Sequence, residues 1–192
     1  MAIVFGVRHR CEKTSDLPAE SVFAYTAGNT GLLYIYGEGY YRYEPDSRKK
    51  TLITFKTSLD IARQPPNWQP LPDGRIAAYI YAVGSNGIFF LDPETGAVTP
   101  MPTKGPLRSN WRINSIQTDG EGNFYLGDGG NVSIIRLDKN GKFAGLFDAR
   151  QLAFGAMAKI KVDEAGNIYF TTLNNNYHRI YKLDAKGINW TY

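Results

Sequence analysis

The side chains best equipped to bind something fall on irregular stretches between short apolar runs. Arg63, Arg108 and Arg112 carry planar guanidinium forks that match carboxylate or phosphate. Trp68 and Trp111 offer flat apolar rings suited to a sugar or to a partner's side chains, or else to filling space inside the fold. Asn110, Asn131, Asn175 and His178 add groups that both donate and accept hydrogen bonds. This is the chemistry of recognition, directed at a protein partner or at a small anionic or carbohydrate ligand. The constellations that would indicate catalysis do not occur: there is no G-x-S-x-G, phosphate loop, H-E-x-x-H or paired C-x-x-C. His9 and Cys11 are close in sequence, yet no acid is evident to orient the histidine. A lone loop histidine such as His178 is more often a solvated polar residue than a general acid or base. The DGGN segment at 128–131 reads as a tight turn, since no helix follows to make it a phosphate cradle. The sequence is read as non-catalytic.

The elements that must position these residues come from an internal repeat. Four alternating apolar strands end in an acid and a turn: YYRYEPDS (40–47), FFLDPETG (89–96), IIRLDKNG (134–141) and IYKLDAKG (180–187). The acids Glu44, Asp92, Asp138 and Asp184 recur at intervals of 48, 46 and 46 residues. Upstream of each lies another turn and strand, seen most clearly in DGEGNFYLGD (119–128) and DEAGNIYFTT (163–172). Each unit resolves into four short strands with Gly, Asn and Asp turns: 113–118, 123–127, 132–137 and 143–147 in the third, and 157–162, 167–172, 178–183 and 188–191 in the fourth. One such sheet cannot bury both of its faces, so neighbouring units must stack. The expected fold is all-β, a β-propeller of four four-stranded antiparallel blades of about 45 residues. The whole of 1–192 forms one domain, with an N-terminal strand and linker at 1–16 and blades near 17–57, 66–102, 112–148 and 156–192.

INSIQTDGEGNFYLGDGGNVSIIRLDKNGKF (113–143) and IKVDEAGNIYFTTLNNNYHRIYKLDAKG (160–187) resemble NHL-type propeller repeats. LPAESVFAYTAGNTGLLYIYGEGYYRYEPDS (17–47) is more similar to the propeller repeats in sensor regions of two-component regulators. The resemblance implies blades and leaves function open, because propellers serve as scaffolds, sensors, lectins, lyases and lactonases. Gluconolactonase-like propellers hold an axial divalent cation. By that analogy Glu38, Asn114, Asp128 and Asn174 are candidate oxygen ligands for calcium or magnesium, although the family pattern is not reproduced at matching positions. The leading expectation is a binding module without cofactor, which presents its long-loop face. A metal-dependent lyase or lactonase, or a structural subunit of a multi-chain assembly, are the alternatives.

With 22 basic residues dispersed among 18 acidic ones, a net charge of +4 does not point to a nucleic-acid binder. The apolar run at residues 2–7 is too short for a signal-peptide core or a membrane span. A single cysteine excludes an intrachain disulfide and fits a cytoplasmic compartment. Such repeats usually build six or more blades. Four blades therefore form a closed ring, a partial ring completed by another copy, or one part of a larger assembly, with the closed ring preferred. Residues 2–9 alternate like a strand that could fasten the ring by pairing near 188–191. Deleting residues 1–10 is then expected to lower the melting temperature markedly; an unchanged melt in a calorimeter would refute the fastening strand.

Overall fold

The computed structural model describes residues 25–27, 32–36, 40–44, 47–59, 68–80, 86–103, 111–152, 155–173 and 180–184. Within them the chain is all-β, in four antiparallel sheets that follow one another in sequence. The first holds β1 (Tyr25–Ala27), β2 (Leu32–Tyr36), β3 (Tyr40–Glu44) and β4 (Lys49–Ile53). The second holds β5 (Trp68–Pro70), β6 (Ile76–Ile80), β7 (Gly87–Leu91) and β8 (Val98–Pro100). The third holds β9 (Ile113–Thr118), β10 (Phe124–Asp128), β11 (Ser133–Leu137) and β12 (Phe143–Asp148). The fourth holds β13 (Ala156–Val162), β14 (Ile168–Leu173) and β15 (Ile180–Leu183); the strand expected at 188–191 and the one at 2–9 lie outside the described residues. Where the sequence showed only a connection after β12, a 3₁₀ turn forms at Ala149–Gln151, capped by the Asp148 carboxylate accepting from the Arg150 amide.

Aspartates pin the turns that set the strand register. Between β9 and β10, Asp119 Oδ1 accepts from the amides of Glu121 and Asn123, while Oδ2 accepts from Asn123 Nδ2 and the Tyr125 hydroxyl. The same arrangement recurs one sheet later at Asp163, Asn167 and Tyr169. There the hydrogen bond from the Asn167 side chain is the main reason the Asp163 carboxyl titrates below the usual range. The repeating acids at the ends of the third strands work alike: Asp138 Oδ1 holds the amides of Asn140 and Lys142, and Asp92 Oδ1 those of Glu94 and Thr95.

The sheets stack face to face, and successive residues of one strand serve different cores. In β6, Ile76, Ala78 and Ile80 pack toward the first sheet, whereas Ala77 and Tyr79 pack toward the third. In the third sheet Phe124, Leu126, Ile135 and Leu137 face the second, while Tyr125 and Ile134 face the fourth. Each fully buried aliphatic side chain contributes about 1.5–3 kcal/mol, so three such layers supply the main stabilisation. The first strands β1, β5, β9 and β13 neighbour one another in that order, as the inner strands of a propeller do.

Backbone contacts lock the layers together. The Lys56 amide donates to Gly96 O, Gly120 N to Glu164 O, and the buried Ile160 amide to the Ser115 hydroxyl. Arg42 of the first sheet pairs with Glu94 in the β7–β8 turn of the second. The glycine closing each such turn lies directly against the preceding unit: a Cβ on Gly96 would strike Thr54 O, and one on Gly141 would strike Pro102 O. Gly74 has the same left-handed backbone, φ +85° against +72° at Gly96, but open space around it. Gly74→Ala is therefore expected to cost about 1 kcal/mol of backbone strain. Gly96→Ala should cost at least twice as much in urea unfolding, and equal losses would show that the close approach is unimportant.

Candidate functional site

The best-defined polar cluster lies where β9 begins and β10 turns into β11. Asp128, the last residue of β10, is fully buried. A buried carboxylate needs several donors to offset the loss of water. The turn supplies them: Oδ1 accepts from the amides of Arg112, Gly130 and Asn131 at 3.0–3.1 Å, and Oδ2 from Asn131 Nδ2 at 2.6 Å. The neighbouring backbone closes the arrangement, with Gly129 N donating to Arg112 O. Burial, reinforced by the Asp128 charge, pushes the Tyr79 phenol up. Val132, which leaves the turn, is held at φ 51°, an uncommon conformation for a β-branched residue; its carbonyl accepts from Ala149 N.

Above this buried anchor the exposed side chains are Arg112 and Asn131. The Arg112 chain runs across Gly130, where any Cβ would collide with its Cδ. Its guanidinium has no ion-pair partner among the described residues, in contrast to Arg75, Arg42 and Arg150, which pair with Asp73, Glu44 and Asp148. The cluster thus holds the Arg112 backbone from below and lays its aliphatic stem against Gly130.

Of the residues singled out from the sequence, Arg112, Asn131, Asn114 and Asp128 are brought to one end of the third sheet. Trp68 and Trp111 are not offered to solvent. Trp68 is buried in the first layer, stacked on Tyr40 at 4.5 Å, and Trp111 is buried in the second. Expected as binding surfaces, both rings instead fill the gap between sheets. Arg63, Arg108, Asn110, Asn175, His178, Glu38 and Asn174 lie outside the described residues. What sequence reasoning missed is the role of Asp128 as the anchor that organises Arg112 and Asn131; the D-G-G-N spelling was the available clue.

The implied cation fits the described residues poorly. Both Asp128 oxygens already accept hydrogen bonds from the turn, and Asn114 commits its Nδ2 to Met157 O. Of the candidate ligand atoms among the described residues, Asn114 Oδ1 alone is buried with no hydrogen-bond partner. No group of three His, Cys, Asp or Glu residues that could hold a metal occurs among the described residues.

No family model matches the chain, and no curated protein matches it. Solved structures do match. Calcium-binding regucalcin from Agrobacterium tumefaciens superposes with a TM-score of 0.54 at 16% identity, over 88% of this chain and 58% of its own. TolB from Acinetobacter baumannii gives 0.54 at 18% identity, over 82% and 39%. The extracellular domain of a one-component system from B. thetaiotaomicron gives 0.52 at 17% identity, over 94% and 24%. All are β-propeller proteins, so the fold is of the β-propeller type. The chain spans less than two thirds of the length of each.

Replacing Asp128 with alanine strands three amides and an amide side chain, an expected loss of about 3 kcal/mol. In a domain of this size that corresponds to a melting temperature lower by about 6–12 °C. Asp128→Asn keeps one acceptor and should lose clearly less; equal losses would contradict the anchoring role.

Proposed function

We propose that the chain is a propeller binding module of four four-stranded blades. Its loop end around Arg112 and Asn131 accepts a small anion, including an anionic sugar, or an acidic side chain of a partner protein. The observation that carries this reading is the exposed Arg112 side chain, without an ion-pair partner among the described residues, laid over Gly130 beside Asn131, with Asp128 buried beneath. A guanidinium can meet a carboxylate or phosphate through two parallel hydrogen bonds. The buried, unpartnered Asn114 Oδ1 and the likeness in fold to calcium-binding regucalcin favour a second reading, a metal-dependent lyase or lactonase.

Isothermal titration with inorganic phosphate, citrate and glucuronate tests the first reading. At least one of these should bind the native protein, and Arg112→Ala should weaken it about 10–100-fold, the worth of one charge-assisted contact. No binding by any of them, or unchanged affinity in the variant, would count against this end of the propeller. A melting temperature raised by Ca²⁺ and no longer raised in Asn114→Ala would shift the balance to the enzyme, since a ligand held only by the folded state stabilises it by mass action.

A further inference from the structure

The chain contains two Asn-Gly pairs, Asn86–Gly87 and Asn140–Gly141. An asparagine followed by glycine is open to attack by the next backbone nitrogen, because glycine has no Cβ to obstruct the approach. The two pairs differ in their surroundings. Gly87 lies within the β6–β7 ladder opposite Ile80, and Asn86 makes a further contact of its own. Asn140 is exposed in the β11–β12 turn, and its side-chain amide makes no hydrogen bond among the described residues. In the repeat, the closing glycines Gly96 and Gly187 follow Thr95 and Lys186, whereas Gly141 follows an asparagine.

The turn restrains this pair at each of its atoms that would have to move. Gly141 N, the attacking atom, donates its hydrogen to Asp138 O at 2.9 Å. Asp138 Oδ1 holds the amides of Asn140 at 2.8 Å and Lys142 at 2.9 Å. Behind the turn Gly141 is buried against the second sheet. Even a Cβ there would come within 2.5 Å of Pro102 O and 3.1 Å of the Met101 methyl. Freeing the nitrogen requires its bond to Asp138 O to break, which is a local opening of the turn.

We propose that Asn140 is a site of spontaneous deamidation, and that the turn built on Asp138 sets its rate. In the opened turn Gly141 N bonds to Asn140 Cγ, the Cγ–Nδ2 bond breaks, and the proton of the attacking nitrogen leaves with the departing ammonia. Water then opens the five-membered imide at either carbonyl, leaving aspartate or isoaspartate at position 140. Both products add a negative charge, and isoaspartate also routes the main chain through Cβ and Cγ, lengthening the turn by one atom. Gly141 has no room to shift against Pro102 O, so the longer turn loosens the joint between the second and third sheets. The pair lies at the opposite end of β11 from Arg112 and Asn131, and the proposal stands apart from the ligand reading.

Incubating the full chain at mildly alkaline pH, folded and in guanidinium chloride, and mapping isoaspartate by mass spectrometry of its peptides tests this. Isoaspartate at 140 should appear in both samples, about 10- to 100-fold more slowly in the folded one, because the reaction follows the population of the opened turn. Asp138→Ala should lose most of that protection, each variant being compared with its own unfolded rate, and Asn140→Gln should give no product at 140. The isoaspartyl form, separated by ion exchange, should unfold at a lower denaturant concentration than the native chain. Asn140→Asp, with the same charge but an unaltered main chain, should unfold at the native midpoint. Equal rates in the folded and unfolded chain would overturn the proposal, as would no isoaspartate at 140 in the folded protein over about a hundred half-lives of the unfolded one. So would a folded Asp138→Ala protein protected as well as the native; should that variant not fold, the comparison of folded with unfolded native chain decides by itself.

Discussion

Everything in this molecule depends on covering a small β-sheet on both faces. A strand buried on one side can alternate apolar and polar residues, but β6 and β10 are buried at every position and divide their side chains between two layers. Ala77, Ala78 and Gly127 keep the sheets close on these strands, while Ile76, Ile80 and Leu126 fill the space around them. No single unit could be stable alone, because half of its core belongs to its neighbour. The burial gradient follows from this: β6 and β10 vanish into the stack, and an outer strand such as β4 is mostly exposed.

Much of the architecture was legible in advance because the repeat is written in turns. Acids at intervals of 48, 46 and 46 residues marked the ends of the third strands, and in the structure Asp92 and Asp138 pin the amides that follow them. The boundaries of β9 through β12 fall within a residue of those read from alternation. What one sequence could not disclose was the relation between units. Gly96 and Gly141 looked like ordinary turn glycines, yet their lack of a side chain is what admits Thr54 O and Pro102 O. That constraint joins residues some forty positions apart, beyond the reach of any local pattern.

The candidate site was less legible for the same reason. An exposed tryptophan and a buried one look alike in sequence, and Trp68 and Trp111 proved to be packing residues. Arg112 does reach the surface, and its backbone amide donates to the buried Asp128, sixteen residues away. The resemblance to gluconolactonase-like propellers made that carboxylate a candidate calcium or magnesium ligand. Its hydrogen bonds go to the amides of the DGGN turn and to the Asn131 side chain.

The joints between sheets also bear on how such a chain changes over evolutionary time. Each is built from a front half and a back half on different units, and the halves recur at nearly constant intervals. Duplicating one unit in frame would insert a matched front and back together and leave every existing layer intact. Losing one would do the same in reverse. Blade number is thus a quantity that recombination can alter in whole steps, while point substitutions at Ile134 or Leu126 must be accommodated by the adjoining sheet. Lengthening the arc is, for this architecture, a smaller perturbation than remodelling any layer within it.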